Sequence, residues 1–312
     1  MSDTTAIEWT ATRLPDGTVL PGYTSNPWLG CTKISPACDN CYAEGWAKRS
    51  GLVKWGAHED RRRTSAANWK KPLKWNREAA ATGIRRKVFC ASLADVFDNH
   101  RSIQPEWRDD LWALIRATPY LDWLLLTKRP GNISQMLPPD WGDGYPNVWL
   151  GCTIANQEEA DRDIPKLLAT PAAIRFISAE PLLGPVDLQP WLAWPDICGE
   201  TPDGEPFGCW GCDVDICPKC PKDKAHYECE EGPRDATGCP EFVHCERITL
   251  DWIIVGGESG PHARDWEGFA DAARSLRDQC AAAGTDFFMK QMPKKAPIPA
   301  DLMVRQWPEV RV

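Results

Sequence analysis

Short apolar runs that recur along this 312-residue chain constrain its fold more than any other feature. They are rich in β-branched and aromatic residues and occupy positions 87–91, 123–127, 148–153, 174–178, 252–255 and 286–289. Runs of this length and composition are typical of strands buried on both faces of a parallel sheet. We interpret residues 7–10 as an earlier strand.

Between the apolar runs lie segments whose apolar residues recur at helical spacing, at 105–117, 157–169 and 266–283. Gly284 follows the last of these as a helix stop signal. Alternation of strands and helices predicts β/α units with right-handed crossovers. The sequence therefore predicts an α/β fold, a partial or complete parallel (β/α) barrel, with a doubly wound open sheet as the alternative.

Residues 196–246 interrupt this pattern with eight cysteines, 13 acidic and 4 basic residues, and little apolar periodicity. We interpret them as an inserted Cys-rich metal-binding mini-domain, with the barrel formed by 1–195 and 247–312, because so small a core needs metal to fold. The expected ligands are Cys198, Cys209, Cys212, Cys217, Cys220, Cys229, Cys239 and Cys245. Paired C-x2-C knuckles favour zinc or an auxiliary iron–sulfur cluster. This metal either only folds the insert or serves as an electron relay or docking surface.

The chain contains 14 cysteines, and its first residues lack the apolar run of a signal peptide. Clustered cysteines in a reducing compartment are more often metal ligands or catalytic groups than disulfides. We therefore expect a cytoplasmic protein without a membrane segment, with a secreted disulfide protein as the alternative. Cys90, Cys152 and Cys280 fall within predicted strands or a helix, where core packing is the default.

The loop at 26–44 contains Cys31, Cys38 and Cys41 in a C-x6-C-x2-C spacing. Three thiolates on one loop suit a cubane iron–sulfur cluster with one open iron, whereas a structural zinc site normally has four protein ligands. In the alternative interpretation Cys31 is a core residue, and the other two cysteines form half of a zinc site completed by the insert.

Polar residues directly follow most of the apolar runs, at 92–95, 127–130, 178–181, 256–260 and 290–291. In parallel barrels the loops after the strands carry the functional groups. The sequence therefore predicts a site at the carboxyl edge of the sheet, next to the cysteine loop.

The cysteine loop and its setting resemble the radical S-adenosylmethionine (radical SAM) superfamily, in which three cysteines after the first barrel strand bind a [4Fe–4S] cluster. The chain as a whole more closely resembles a phage-borne three-Cys-motif family. That resemblance rests on the Asn-Pro-Trp and Gly-Cys segments of the loop, LLLTKRP at 124–130, RFISAEPLLGP at 175–185 and IIVGGESGPHAR at 253–264. The first gap between cysteines is six residues instead of the usual three, and the aromatic Tyr42 follows the third cysteine.

The resemblance implies an enzyme whose open iron chelates S-adenosylmethionine and whose cluster takes an electron from an external donor to make a substrate radical. It implies cofactor contacts from Tyr42, Ser92, Asp95, Ser178, Glu180, Gly256, Gly257 and Glu258. The amino group would meet Ser92 and Asp95, and the ribose would meet Ser178 and Glu180. Candidates for binding a carboxylate or phosphate are Lys128, Arg129, Arg264 and Lys290. For each of these residues, a salt bridge or cap that only stabilises a loop is the alternative role.

Residues 48–87 carry 13 basic and 3 acidic residues, interleaved with tryptophans. Positive charge attracts phosphates and aromatic rings stack on bases, so this stretch predicts a nucleic-acid partner and a nucleotide or nucleic acid as the substrate class. The net charge of −8 opposes non-specific duplex binding. The alternative is a solvated helical face with its tryptophans turned into the core.

Two other functions fit the same residues. One is a metal-stapled nucleic-acid-binding protein without catalysis. The other is an iron–sulfur repair or redox protein that does not use S-adenosylmethionine.

Overall fold

Seven parallel strands lie side by side in chain order in the computed structural model, which describes residues 4–192 and 249–308. The mini-domain predicted at 196–246, with its eight cysteines, lies outside the described residues. The strands are β1 Thr12–Arg13, β2 Val19–Leu20, β3 Tyr23–Ser25, β4 Trp28–Leu29, β5 Arg62–Arg63, β6 Arg86–Cys90, β7 Leu121–Thr127, β8 Val148–Thr153, β9 Ile174–Ala179, β10 Trp252–Gly256 and β11 Asp286–Gln291. The helices are α1 Tyr42–Ser50, α2 Ala66–Thr82, α3 Pro105–Arg116, α4 Ile133–Met136, α5 Gln157–Leu168 and α6 Phe269–Ala283.

The main sheet has the order β3-β6-β7-β8-β9-β10-β11 and curls into a half-barrel. A doubly wound sheet requires a reversal of strand order, and this sheet has none. The predicted partial β/α barrel is therefore confirmed, and the doubly wound alternative is wrong. Two short antiparallel pairs, β1 with β2 and β4 with β5, stand beside the main sheet.

The two faces of the sheet carry different apolar clusters because side chains alternate along each strand. On β10, Ile253 and Val255 belong to the large cluster that includes residues of α3, α5 and α6. Trp252 and Ile254 point to the concave face, where they join an aromatic cluster. The helices thus cover one face, and large aromatic rings fill the base of the other.

The strand predicted at 7–10 is wrong, since Glu8–Thr10 forms a short 3-10 helix. The Thr10 hydroxyl donates a hydrogen bond to the Ile7 carbonyl over 2.7 Å. Trp9 is 2% exposed, and its ring centroid lies 4.8 Å from that of Phe89. The Trp9 indole therefore joins the aromatic cluster on the concave face of the half-barrel.

The tryptophans of the basic stretch at 48–87 differ in burial. Trp75 is 2% exposed and stacks on Tyr23 at a centroid distance of 4.4 Å. The other tryptophans of the stretch and its neighbour Trp46 are half-buried, as the burial of 46, 55 and 69 shows. Nucleic-acid binding through this stretch stays a prediction.

In the described part of the chain, no helix combines the length and apolar character needed to cross a bilayer.

A buried lysine lies at the amino-terminal end of β6. Lys87 is 6% exposed, and its ammonium donates to the Ala11 carbonyl over 3.2 Å and lies 5.4 Å from the Trp149 ring centroid. Burial lowers the pKa of Lys87 to about 8, although Asp122 opposes this shift. An unfolded lysine has a pKa of about 10.4. The buried charge therefore costs stability below the folded pKa, and this cost disappears as the pH rises between the two values.

We expect Lys87→Met to raise the free energy of unfolding at pH 7 by about 1–3 kcal/mol. The gain over the wild type should shrink as the pH rises from about 8 to about 10, because the wild-type lysine then loses its charge. Urea titrations of both proteins across this range measure the difference. The exposed Lys70→Met is the control and should show no such trend. A gain independent of pH would contradict the assignment.

Candidate functional site

A cavity of about 380 Å³ opens at the carboxyl ends of the parallel strands. Its wall contains most of the residues singled out from the sequence, contributed by the cysteine loop, by the carboxyl ends of β9 and β11 and by the loops after β6, β7, β9 and β10. These wall residues are Cys31, Cys38, Cys41, Tyr42, Ser92, Asp95, Lys128, Arg129, Ser178, Glu180, Gly257, Glu258 and Lys290. Gly256 and Arg264 lie outside the wall and act through residues within it.

Three kinds of local structure present the three cysteines. Cys31 follows β4 and Gly30, which has a φ of +102° that favours glycine. Cys38 ends the 3-10 helix Pro36–Cys38, whose N-cap residue Ser35 accepts the Ala37 N–H with its side chain. Cys41 is the N-cap residue of α1. The fold therefore directs one short loop so that all three residues border the same space.

The thiol of Cys31 lies beside a cation. Burial raises the pKa of Cys31 to about 11, and the carboxylate of Asp95 adds to this shift, while Arg129 opposes it. Arg129 Nη1 lies 3.5 Å from the Cys31 sulfur. Cys31 is therefore a neutral thiol near pH 7 in the metal-free protein, and a bound metal would favour its thiolate form.

The three thiols match an iron–sulfur cluster in donor type and in location. Thiolates are the ligands of such clusters, and a cubane binds each sulfur at a different iron. Within 4–192 and 249–308, no three His, Cys, Asp or Glu side chains are arranged to hold a metal ion. Donor type, three thiols on one loop, is therefore the property of this loop that fits such a cluster.

Asp95 organises one wall of the cavity. It is 4% exposed, and its carboxylate accepts hydrogen bonds from the Thr127 hydroxyl at 2.8 Å, the Lys128 N–H at 3.2 Å and Arg129 Nη1 at 3.0 Å. The Phe97 N–H also donates to it, over 2.9 Å. These contacts fix the loop after β7 against the loop after β6.

Sequence reasoning missed a buried arginine that holds the cysteine loop. Arg61 has a fully buried side chain, and its Nε pairs with Asp98 at 2.7 Å. Its Nη2 donates to the Thr32 hydroxyl over 2.6 Å, and Arg129 Nη2 donates to the Thr32 carbonyl over 3.0 Å. Two guanidinium groups thus donate hydrogen bonds to Thr32, the residue after Cys31. Since Arg61 opens a run of three arginines, its sequence context indicates only an exposed basic segment.

The opposite wall contains a short chain of polar contacts. Ser178 donates to Glu180 Oε2 over 3.2 Å, and Lys290 Nζ pairs with Glu180 Oε1 at 2.6 Å. A Cβ atom on Gly256 would lie 2.4 Å from that same oxygen. The glycine therefore leaves room for Glu180 to reach Lys290. Gly257 has a similar role, since a Cβ atom there would lie 2.3 Å from the backbone nitrogen of Pro293.

Glu258 connects the loop after β10 to the cysteine loop. It accepts from Asn40 Nδ2 at 2.9 Å and from the Arg264 N–H at 2.8 Å, and Arg264 Nη1 pairs with Asp39 at 2.9 Å. Burial would raise the pKa of Glu258, but the hydrogen bonds from Arg264 and Asn40 hold it below its usual range. Arg264 is thus a tie between two loops. In the sequence a single asparagine such as Asn40 indicates only a loop, so this contact was not predictable.

Tyr42 and Ser92 lie together at the rim of the cavity. Tyr42 is 61% exposed, and its hydroxyl donates to the Ser92 carbonyl over 2.6 Å. The Ser92 hydroxyl accepts from Asn26 Nδ2 at 3.1 Å. The contact joins the start of α1 to the loop after β6.

Together, the fold and the site define a β/α half-barrel protein with a cavity at the carboxyl edge of its sheet, lined by thiols, charged side chains and apolar residues. The family model described as "Protein of unknown function (DUF5131)" matches residues 4–303, and the chain belongs to this family. No curated protein and no solved structure matches the chain.

Proposed function

We propose that this protein is a radical SAM-type enzyme that holds a [4Fe–4S] cluster on Cys31, Cys38 and Cys41. The observation that carries the proposal is the convergence of these three thiols with polar groups from separate strand ends on one cavity. A cavity of about 380 Å³ is within the usual range for small-molecule sites. When bound and reduced, the cluster supplies the electron that cleaves the sulfonium of S-adenosylmethionine into methionine and a 5′-deoxyadenosyl radical.

The chain's own residues position the ligands and exclude water. Asp95, Arg129 and Arg61 hold the cysteine loop and the loop after β7 in place through short hydrogen bonds. Ser178 and Glu180 present hydroxyl and carboxylate groups suited to ribose hydroxyls. The ring of Tyr42 and the half-buried Trp55 border the cavity and shield it from solvent. In this proposal an external electron donor reduces the cluster.

Oxygen-free purification and reconstitution of the full chain test this function. We expect iron and inorganic sulfide in equal amounts, with about four of each at the cysteine loop. Addition of S-adenosylmethionine and a chemical reductant should then release methionine and 5′-deoxyadenosine, measured by liquid chromatography.

The other outcomes identify the competing functions. Zinc without iron after reconstitution would overturn both cluster-based functions. Iron without release of 5′-deoxyadenosine would overturn the radical SAM function and favour a redox protein that does not use S-adenosylmethionine.

A further inference from the structure

Of the four cations singled out from the sequence, all of which lie in or beside the cavity, three already have a carboxylate partner. A neutralised cation that also holds two loops together is a poor anchor for a ligand, because binding would break an existing pair. The three pairs are Arg129–Asp95 at 3.0 Å, Arg264–Asp39 at 2.9 Å and Lys290–Glu180 at 2.6 Å.

Lys128 differs from the other three cations. Among the described residues, its ammonium donates to the Thr153 hydroxyl alone, over a long 3.4 Å. Across residues 4–192 and 249–308, no carboxylate lies at ion-pair distance from it. Its backbone N–H is held by Asp95 at 3.2 Å, so the base of the side chain is fixed while the charge faces the cavity half-buried.

The neighbours of Lys128 complete a set of hydrogen-bond donors. Thr127 pairs with Cys152, and Thr153 pairs with Ser178, so Lys128 and Thr153 follow one another along the carboxyl edge of the sheet. Thr153 is 3% exposed, and its hydroxyl accepts from Lys128. Its own proton, which has no acceptor in the described part of the chain, remains available to a ligand. An ammonium beside a hydroxyl donor suits a carboxylate or phosphate oxygen.

We infer that Lys128 and Thr153 bind an anionic group, a carboxylate or a phosphate, carried by the substrate. This inference rests on the proposed function for its claim that a substrate enters the cavity. In that function the carboxylate of S-adenosylmethionine is chelated by the open iron, which leaves the charge of Lys128 for the second ligand. A half-buried ammonium without a counterion has lost some of the water molecules that accept its hydrogen bonds. A bound oxyanion replaces these acceptors.

Titration of the full-length chain as purified, without iron, with inorganic phosphate tests the inference. The fluorescence of Trp9 and Trp55, which line the cavity, reports binding. We expect Lys128→Met to weaken phosphate binding about tenfold to a hundredfold, the usual loss for a hydrogen bond to a charged group. Lys128→Arg should retain binding, because it keeps the charge. Lys294→Met is the matched control, since Lys294 is 61% exposed and pairs with Asp265 outside the cavity wall.

A parallel titration of the reconstituted protein with S-adenosylmethionine distinguishes the two sources of the anion. We expect the affinity for S-adenosylmethionine to change less than twofold in Lys128→Met. Unchanged phosphate binding in Lys128→Met, or no phosphate binding by the wild type, would overturn the inference. A loss of S-adenosylmethionine affinity as large as the loss for phosphate would assign Lys128 to the cofactor and overturn it as well.

The phosphate titration needs neither a cluster nor cofactor cleavage. Failure of this inference therefore leaves the iron and 5′-deoxyadenosine measurements unaffected. Conversely, a protein that binds phosphate through Lys128 but releases no 5′-deoxyadenosine would overturn only the proposed function.

Discussion

We expect Cys38→Ala to remove the iron that the proposed function places on the cysteine loop and to lower 5′-deoxyadenosine release to that of a protein-free control. Cys38 is 8% exposed and borders the cavity between the other two loop cysteines in sequence. A cubane with one open iron depends on all three thiolates, so two remaining ligands leave a second iron unprotected. We expect about four fewer irons per chain than in the reconstituted wild type, measured by metal analysis and absorbance.

The matched control for this variant is Cys280→Ala. Cys280 is a buried thiol on α6, where it packs in the large apolar cluster. Its loss removes the same atom from the core without touching the cavity, so iron content and product release should equal those of the wild type. Retention of full iron content by Cys38→Ala, with circular dichroism like that of the wild type, would contradict the assignment of this cysteine as a ligand.

The second large effect is a loss of stability on removal of Arg61. We expect Arg61→Ala to lower the free energy of unfolding by about 3–5 kcal/mol, because it leaves the carboxylate of Asp98 buried and without its closest partner. The Arg61 side chain is fully buried and also donates to the Gly56 carbonyl at 2.9 Å and the Glu59 carbonyl at 2.7 Å. Urea titration with a fluorescence readout measures the change.

Arg62→Ala provides the control for Arg61→Ala, since Arg62 is the next residue in the chain, at the start of β5, and is exposed. Its expected effect is within about 0.5 kcal/mol. Because Arg61 also grips Thr32, next to Cys31, we expect Arg61→Ala to take up less iron than Arg62→Ala at the same temperature. Equal stability of the two variants would show that the buried pair does not stabilise the loop.

Much of the half-barrel was predictable from local pattern. The strand predicted at 148–153 matches β8 Val148–Thr153, and the helix predicted at 157–169 ends one residue beyond α5 Gln157–Leu168. A strand buried on both faces needs a continuous apolar run, and a helix packed on a sheet needs apolar residues every three or four positions. Both requirements are satisfied within a few neighbouring residues, so they are visible in the sequence.

Contacts between distant residues were not predictable in this way. Trp9 fills the concave face of the sheet by packing on Phe89, and no local pattern specifies that contact. Helix α2 contains Pro72, which obscures its helical pattern, although Ser65 caps its first turn by accepting the Asn68 N–H. The burial of Arg61 was not predictable from its run of three arginines either, because its partner Asp98 lies 37 residues away in the chain.

The cavity shows both what local sequence pattern determines and what only contacts between distant residues determine. The sequence by itself determined the parallel strands, the polar residues at their carboxyl ends and the three cysteines of one loop, because each follows from residue type and spacing over a short segment. Only the tertiary structure decided which cations are neutralised. Arg264 pairs with Asp39 across 225 positions of the chain, whereas Lys128 contacts, within 4–192 and 249–308, only the hydroxyl of Thr153. Ion pairing depends on distances between side chains that only the packed fold brings together, and these distances distinguish the anchors of the loops from the candidate anchor of a ligand.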